Sequence, residues 1–399
     1  MKKILLMMLL LTVLASMLLA EDIQLQEITL DEFLNDYLSD YKIEKRIQLE
    51  GVGRDFAVAK ETGEIVAVTR TDEKYIVKML DLEGNCKWSH SFDNSYCNIS
   101  ALVSDNANTT TLFLNEGEGR GKNVIISKDG QILYESPISY SIFYPSPDGN
   151  YVYENLNIMG STRQKEIKMY NKHGEKIAIT GLENYQIRNI RIRITDNSHL
   201  IAFIEQENTE SIIMCFCEFN KGNITVLWQY EFEEGYSKIF DTHNMATTNL
   251  RIFQNKIAVN ACDSGFYIFN FDGNILHQDN ELVSSFGFSQ YGDFIIDNQE
   301  NLKTFDKDNF NEKIINFSLK FKTTKENVLS FLKFGNFYLI DIERYFFQRM
   351  KYHTLFYEND KIRIINEGFY FLSLNNFHII IAFNYEPNSC ITIIYGGGK

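Results

Sequence analysis

The chain has 399 residues, with 39 Lys and Arg against 53 Asp and Glu, a formal net charge of −14. No basic run stands out, which argues against a nucleic-acid partner. The hydrophobic share of 44% is ample for a large core. The 4 prolines form no linker that would divide the chain, so one repeat-built body is the first expectation.

Residues 1–20 carry Lys2 and Lys3, an apolar run from Ile4 to Leu14, and small residues at Ala15, Ser16 and Ala20. This is the pattern of a bacterial secretory signal, cleaved after Ala15 or Ala20. Thr12 and Ser16 interrupt a run already shorter than the ~20 apolar residues of a membrane anchor. Met17 stands where a lipoprotein signal would place its lipidated cysteine. The expected localisation is periplasmic or secreted, with no lipid anchor and no membrane span.

Residues 21–43 form an N-terminal extension. Within ITLDEFLNDYLSDY (28–41), Thr29 and Glu32 make a capping box and Ile28 and Phe33 a hydrophobic staple. Leu30, Phe33, Leu34, Tyr37, Leu38 and Tyr41 fall on one helical face. The expectation is a short amphipathic helix docked on the body that follows, with partner binding as its alternative role.

Residues 44–399 repeat one theme. A short apolar stretch, a polar turn and an alternating apolar run recur eight times, most clearly as IFYPSPDGNYVY (142–153) and IRITDNSHLIAF (192–203). The turns hold Gly, Asn or Asp, which tolerate turn dihedrals. The runs after them are rich in Val, Ile, Phe and Tyr, which suit strands. A second hairpin lies between these copies, as in VKMLDLEGNCKWSHSF (77–92), VIISKDGQILYES (124–136) and CFCEFNKGNITVLWQY (215–230).

The unit is therefore four strands of about 43 residues, within the range of propeller blades. Such sheets cannot bury both faces alone, and packing them around an axis solves this. The fold class is an all-β single β-propeller of four-stranded blades, with eight blades preferred. Seven is the alternative, because residues 318–365 are weakly patterned. The last unit lacks a fourth strand, and EKRIQLEGV (44–52) is an unpaired fourth strand at the other end. Pairing the two closes the ring and removes exposed edges.

Six cysteines remain after the signal, and export permits disulfides. Cys86 and Cys97 flank a short connection and are the candidate bridge. Cys215 and Cys217 share one face of a strand and are poorly placed to bridge each other. No CxxC occurs. GEGRGK (117–122) fails the phosphate-loop pattern and reads as a flexible loop. His90, His173, His199, His243, His277, His353 and His378 are scattered, with His173 and His199 in turns. Asp306 to Asn311 lacks the glycine and distal glutamate of a calcium loop. No catalytic, metal-binding or cofactor-binding residue is expected.

Arg188, Arg191 and Arg193 lie in YQIRNIRIRIT (185–195). On a strand, Arg191 and Arg193 share one face and Ile190, Ile192 and Ile194 the other. Their expected role is pairing with carboxylates; on an innermost strand they become candidates for ligand binding at the channel.

Two repeat types are similar to these hairpins. LDLEGNCKWSHSF resembles the repeat of quinoprotein-like propellers, in which a turn glycine is followed by an outer-strand tryptophan. SPDGNYVY resembles the turn of WD-repeat-like propellers, including periplasmic ones of the Tol system. Trp88 and Trp228 take the tryptophan position, and Tyr134, Ile177 and His277 stand there in other copies. The site residues of quinone enzymes cannot be placed, so no cofactor is implied. The eight-bladed lipoproteins that assist outer-membrane barrel assembly are similar in size and blade count, and they carry the lipid-anchor cysteine missing here.

The resemblance implies a non-catalytic, monomeric binding or scaffolding module with a protein or glycan partner. Its alternative is a hydrolase or lyase with a site at the channel mouth. Loops 115–122, 157–165 and 205–211 are expected on one face, between second and third strands.

Overall fold

The computed structural model describes residues 26–37, 41–118, 120–156, 164–196, 198–207, 211–232, 250–253, 255–260, 265–279, 283–289, 292–297, 302–305, 312–315, 326–334, 337–346, 349–358, 361–365, 368–374, 377–384 and 389–396. The expected signal peptide, His243 and the Asp306–Asn311 segment lie outside them. Among the described residues nearly all regular structure is strand, and the one helix is α1 (Leu30–Tyr37).

The strands assort into eight antiparallel sheets, taken here in chain order. Sheet 1 contains Val52–Val58, Ile65–Arg70, Lys74–Leu80 and Cys86–Asp93; sheet 2 contains Asn98–Val103, Thr109–Gly117, Arg120–Ser127 and Ile132–Glu135. Sheet 3 is built from Ser141–Pro145, Tyr151–Leu156, Lys168–Asn171 and Lys176–Ile177, and sheet 4 from Ile187–Ile194, His199–Gln206, Ile212–Asn220 and Asn223–Phe232. Sheet 5 spans Leu250–Phe253 to Ile275–Asp279, and sheet 6 spans Val283–Ser289 to Glu312–Ile315. Sheet 7 holds Glu326–Phe334, Phe337–Phe346, Arg349–Glu358 and Lys361–Ile365, so the weakly patterned region 318–365 carries a complete four-stranded meander; Gln26–Glu27 adds to its edge in parallel. Sheet 8 holds Gly368–Leu374, Phe377–Phe383 and Cys390–Gly396, and its fourth strand is Tyr41–Gln48 from the other end of the chain.

The sheets whose side chains are described bury their faces against their neighbours. Val66, Val68, Tyr75, Val77 and Met79 of sheet 1 meet Ile99, Leu112, Leu114, Val124 and Ile126 of sheet 2. Sheets 3 and 4 share a cluster around Met169, Ile190, Ile192 and Ile204, and sheets 4 and 5 one around Phe203, Met214, Phe216, Val259 and Phe269. Ile65 and Leu80 of sheet 1 pack with Ile379, Ile381 and Ile393 of sheet 8. Each such side chain contributes roughly 1.5–3 kcal/mol on burial, before the cost of ordering the chain.

Polar turns lock the same interfaces. In SPDGNYVY, Ser146 Oγ donates to Asp148 and accepts the Tyr151 amide, while Gly149 takes φ +66°. Ser104 and Thr109 of sheet 2 repeat this arrangement. The two turns are joined: the Asp105 amide donates to Pro147 O, Asn106 Nδ2 to Asp148 O at 2.7 Å, and Thr109 Oγ1 to Gly149 O at 2.7 Å.

A second contact recurs one hairpin further out. In sheets 1 to 5 the turn between third and fourth strands places a glycine against the fourth strand of the neighbouring sheet. A Cβ at Gly130 would lie 2.5 Å from Trp88 Cβ, one at Gly174 2.7 Å from Tyr134 Cβ, and one at Gly273 3.0 Å from the Trp228 ring. At Gly222 a Cβ would run into Ala178 O, just past the fourth strand of sheet 3, and lie 3.1 Å from Ile177 Cγ2. Gly84 of sheet 1 meets Ile47, 2.9 Å from its Cγ1, so Tyr41–Gln48 supplies the docking position that any other fourth strand supplies.

Helix α1 is capped by Thr29 and Glu32 reciprocally: Thr29 N donates to Glu32 Oε2 at 2.7 Å, and Glu32 N donates to Thr29 Oγ1 at 3.2 Å. Leu30, Phe33 and Leu34 are buried against Ile365, Ile380, Ala382 and Ile394 of sheets 7 and 8. Leu38 lies outside the described residues.

Cys86 and Cys97 are both free thiols in the structure: Cys86 opens the strand Cys86–Asp93, and Cys97 lies four residues past its end. Eight extended residues span about 26 Å, whereas a disulfide needs its Cα atoms within about 7 Å. His199 is not a solvated turn residue. It opens the second strand of sheet 4, stacks on Phe216 at 5.2 Å and bonds Asp196 through Nδ1 at 3.0 Å. GEGRGK is also tighter than a flexible loop, since strands run to Gly117 and resume at Arg120.

Candidate functional site

In a radial array the innermost strands lie closest together. First strands of neighbouring sheets touch here, sheet 1 to 2, 2 to 3, 5 to 6 and 6 to 7, which places them on the inner side. Most of their positions are apolar or small. Charge concentrates on a few: Arg54, Arg188, Arg191, Arg193, Arg251 and Lys333, against Asp55 and Glu326. A chain with net charge −14 thus carries a basic excess along its inner strands.

Three of those arginines sit on one strand, Ile187–Ile194. Its backbone is held by amides from sheet 3: Asn155 Nδ2 donates to Ile192 O at 2.8 Å, and Asn155 Oδ1 accepts the Ile192 amide. Buried Gln164 accepts the Ile190 amide at its carbonyl, and its own amide donates to Asn189 Oδ1 at 3.0 Å. Asn123 clamps the first strand of sheet 3 in the same way, through Ser141 O and the Phe143 amide. Ile190, Ile192 and Ile194 pack toward sheet 3. Arg191 and Arg193 pair in register with Phe203 and Ile201, which pack toward sheet 5.

The three arginines have different surroundings. Arg188 Nε lies 2.9 Å from Glu205 Oε1, and that carboxylate is 1% exposed. This is the carboxylate pairing expected for the group. Arg193 lies within electrostatic reach of Tyr144 and Tyr153. Burial pushes the Tyr153 phenol up to about 12, against the pull of Arg193. Arg191 is 6% exposed and its Nε has no hydrogen-bond partner. Burial lowers its pKa, opposed by Tyr144.

A second feature went unseen in the sequence. A groove of about 500 Å³ runs beside the outer strand of sheet 4, lined by Asn184, Tyr185, Gln206, Asn223, Thr225 and Gln229 among others. Tyr185 Oη donates to Gln229 Oε1 at 2.6 Å and accepts from Cys215 Sγ at 3.7 Å. Its polar groups are amides and hydroxyls, with no charged side chain in the lining. The groove joins residues from three separate stretches, and no spacing signals that. No group of His, Cys, Asp and Glu suited to a metal ion occurs among the described residues.

Antiparallel four-stranded sheets in succession, with inner strands converging, define a β-propeller-like protein. Among solved structures the chain is similar to BamB from Moraxella catarrhalis, a β-propeller, with TM-score 0.52 and 11% identity over 90% of this chain and 100% of that one. More distant likenesses are the computationally designed Ika8 protein, at TM-score 0.44, 13% identity and 87% and 98% coverage, and Saccharomyces cerevisiae Sqt1, at 0.36, 9%, and 82% and 97%. No family model matches the sequence, and no curated protein matches it.

Proposed function

We propose that the chain is an exported, monomeric, non-catalytic β-propeller that presents a binding surface to a protein partner in the cell envelope. Residues 1–20 are its signal peptide, 21–43 an extension carrying α1, and 44–399 a ring of eight blades closed by Tyr41–Gln48. The observation that carries this reading is the sheet-to-sheet locking by turns and inter-sheet glycines, which suits a scaffold for recognition. Lys165 Nζ lies 3.0 Å from Glu207 Oε1, which supports a shared side for the second-to-third-strand connections of sheets 3 and 4.

Two measurements test it. The full chain, expressed in a bacterial host and fractionated, is expected outside the cytoplasm and shortened at its N-terminus; retention in the cytoplasm at full length sinks the export reading. A photo-crosslinking residue in place of Glu118, Lys165 or Glu207 is expected to capture a discrete protein, and one in place of Asp148 is not. Absence of adducts at all three positions, or equal capture at Asp148, removes the proposed face.

A further inference from the structure

Arg191 is 6% exposed on the first strand of sheet 4. No salt bridge among the described residues includes it, and its Nε is sealed from solvent without an acceptor. Arg188, three residues away, is already neutralised by Glu205. A buried charge without a partner is costly, and proteins keep one where a ligand supplies the missing charge. The strand cannot easily turn it outward, because Asn155 and Gln164 fix its backbone and Ile190 and Ile192 anchor the opposite face. Tyr144, whose ring stacks on Tyr153 with centroids 5.4 Å apart, lies within electrostatic reach of Arg191.

We propose that Arg191 is the anchor of an anion site on the inner wall of sheet 4, and that the ligand is a carboxylate. One uncompensated guanidinium calls for one negative charge, and its planar fork matches a carboxylate with two parallel hydrogen bonds. The carboxylate belongs to an acidic side chain of the partner or to a free organic acid. Only the first source rests on the function proposed above.

The test uses the full chain and sodium acetate, with sodium chloride at equal ionic strength as control, read by thermal unfolding and calorimetry. Acetate is expected to raise the melting temperature by about 2–4 °C in a saturable way, and chloride is not. Arg191→Met is expected to unfold at a higher temperature than the unsubstituted chain without acetate, and to lose the acetate response. If Arg191→Met does not fold, Arg191→Lys decides: it keeps the charge but loses the fork, so acetate affinity is expected to fall at least about tenfold. Equal responses to acetate and chloride, or an acetate response that survives Arg191→Met or is undiminished in Arg191→Lys, overturn the site. A loss of stability in Arg191→Met without any acetate response overturns it too, since the guanidinium is then paired within the chain. A capped tetraglutamate peptide binding at least about tenfold tighter than acetate, with tetraglutamine inert, supports a partner segment. Tetraglutamate binding no tighter than acetate overturns the partner segment and leaves a site for a free acid.

Discussion

At the scale of single residues, the inter-sheet glycine contacts set the tightest tolerances. Gly130 takes φ +84°, and a Cβ there would lie 2.5 Å from Trp88 Cβ. Gly130→Ala combines the strain of a left-handed alanine with a contact that moves backbone. It is expected to cost about 2–3 kcal/mol in chemical denaturation. Gly273→Ala, 3.0 Å from the Trp228 ring, is expected to cost less, and the reverse order would refute this account of the contact. Asp196 gives a pH prediction. Burial would raise its carboxyl, but donation from Ser198 and the His199 ring outweighs this and the net pKa is lowered. A depressed acid contributes stability above its unfolded pKa of ~3.9 and loses it as pH falls through the folded value. Asp196→Asn is thus expected to lower the melting temperature at pH 7 and to make no difference near pH 2. The effect is small, because the side chain is 43% exposed. Turn chemistry of this kind was legible in the sequence, since Gly149 and Asp148 act within six residues of chain. The isolation of Arg191 was not: it depends on Tyr144, which arrives from another sheet.

At the scale of elements, the helix and the strands differ in how plainly the sequence declares them. The capping box of α1 is local, and it is made as the spacing of Thr29 and Glu32 implies. Thr29→Ala is expected to cost the helix ~1 kcal/mol. Amide exchange in Leu30–Tyr37 should then speed up about fivefold with little change elsewhere; an unchanged rate would show that docking on Ile365 and Ile380 alone holds the helix. Among strands, the outer ones keep a clear alternation, as in Asn223–Phe232, which alternates exposed and buried positions. Inner ones lose it. His199–Gln206 is buried from Leu200 to Glu205 because sheets cover both its faces, and a period-two signal fades when neither face meets water. Sheet positions were therefore found from turns more than from strands. Cys86 and Cys97, both free thiols, make a related point: closeness in sequence says little of reach when a whole extended strand lies between.

At the scale of the whole molecule, an early strand and a late strand of the chain meet at a seam in one sheet. Tyr41–Gln48 pairs with Cys390–Gly396, Ser389 Oγ accepts the Gly53 amide, and the Leu49 amide donates to Ser389 O. Sheet 8 meets sheet 1 through Ile379, Ile381 and Ile393, and Gly84 rests on Ile47. A ring gains from closure twice, by burying the last two faces and by leaving no long strand edge free. Removing residues 41–48 uncovers the edge of Cys390–Gly396, a strand of mostly buried Ile and Thr, which is a template for pairing with another chain. The truncated protein is expected to lose several kcal/mol of stability and to self-associate in light scattering at micromolar concentration. A synthetic peptide of residues 41–48 added in excess should restore the monomer, because it supplies the same ladder and the same Ile47 contact. A peptide with Ile47→Asp, which keeps the ladder but places a charge under Gly84, should restore it poorly. If the truncated chain stays monomeric and as stable as the whole, the seam is not what closes the fold, and the ring must be held by the other sheet interfaces alone.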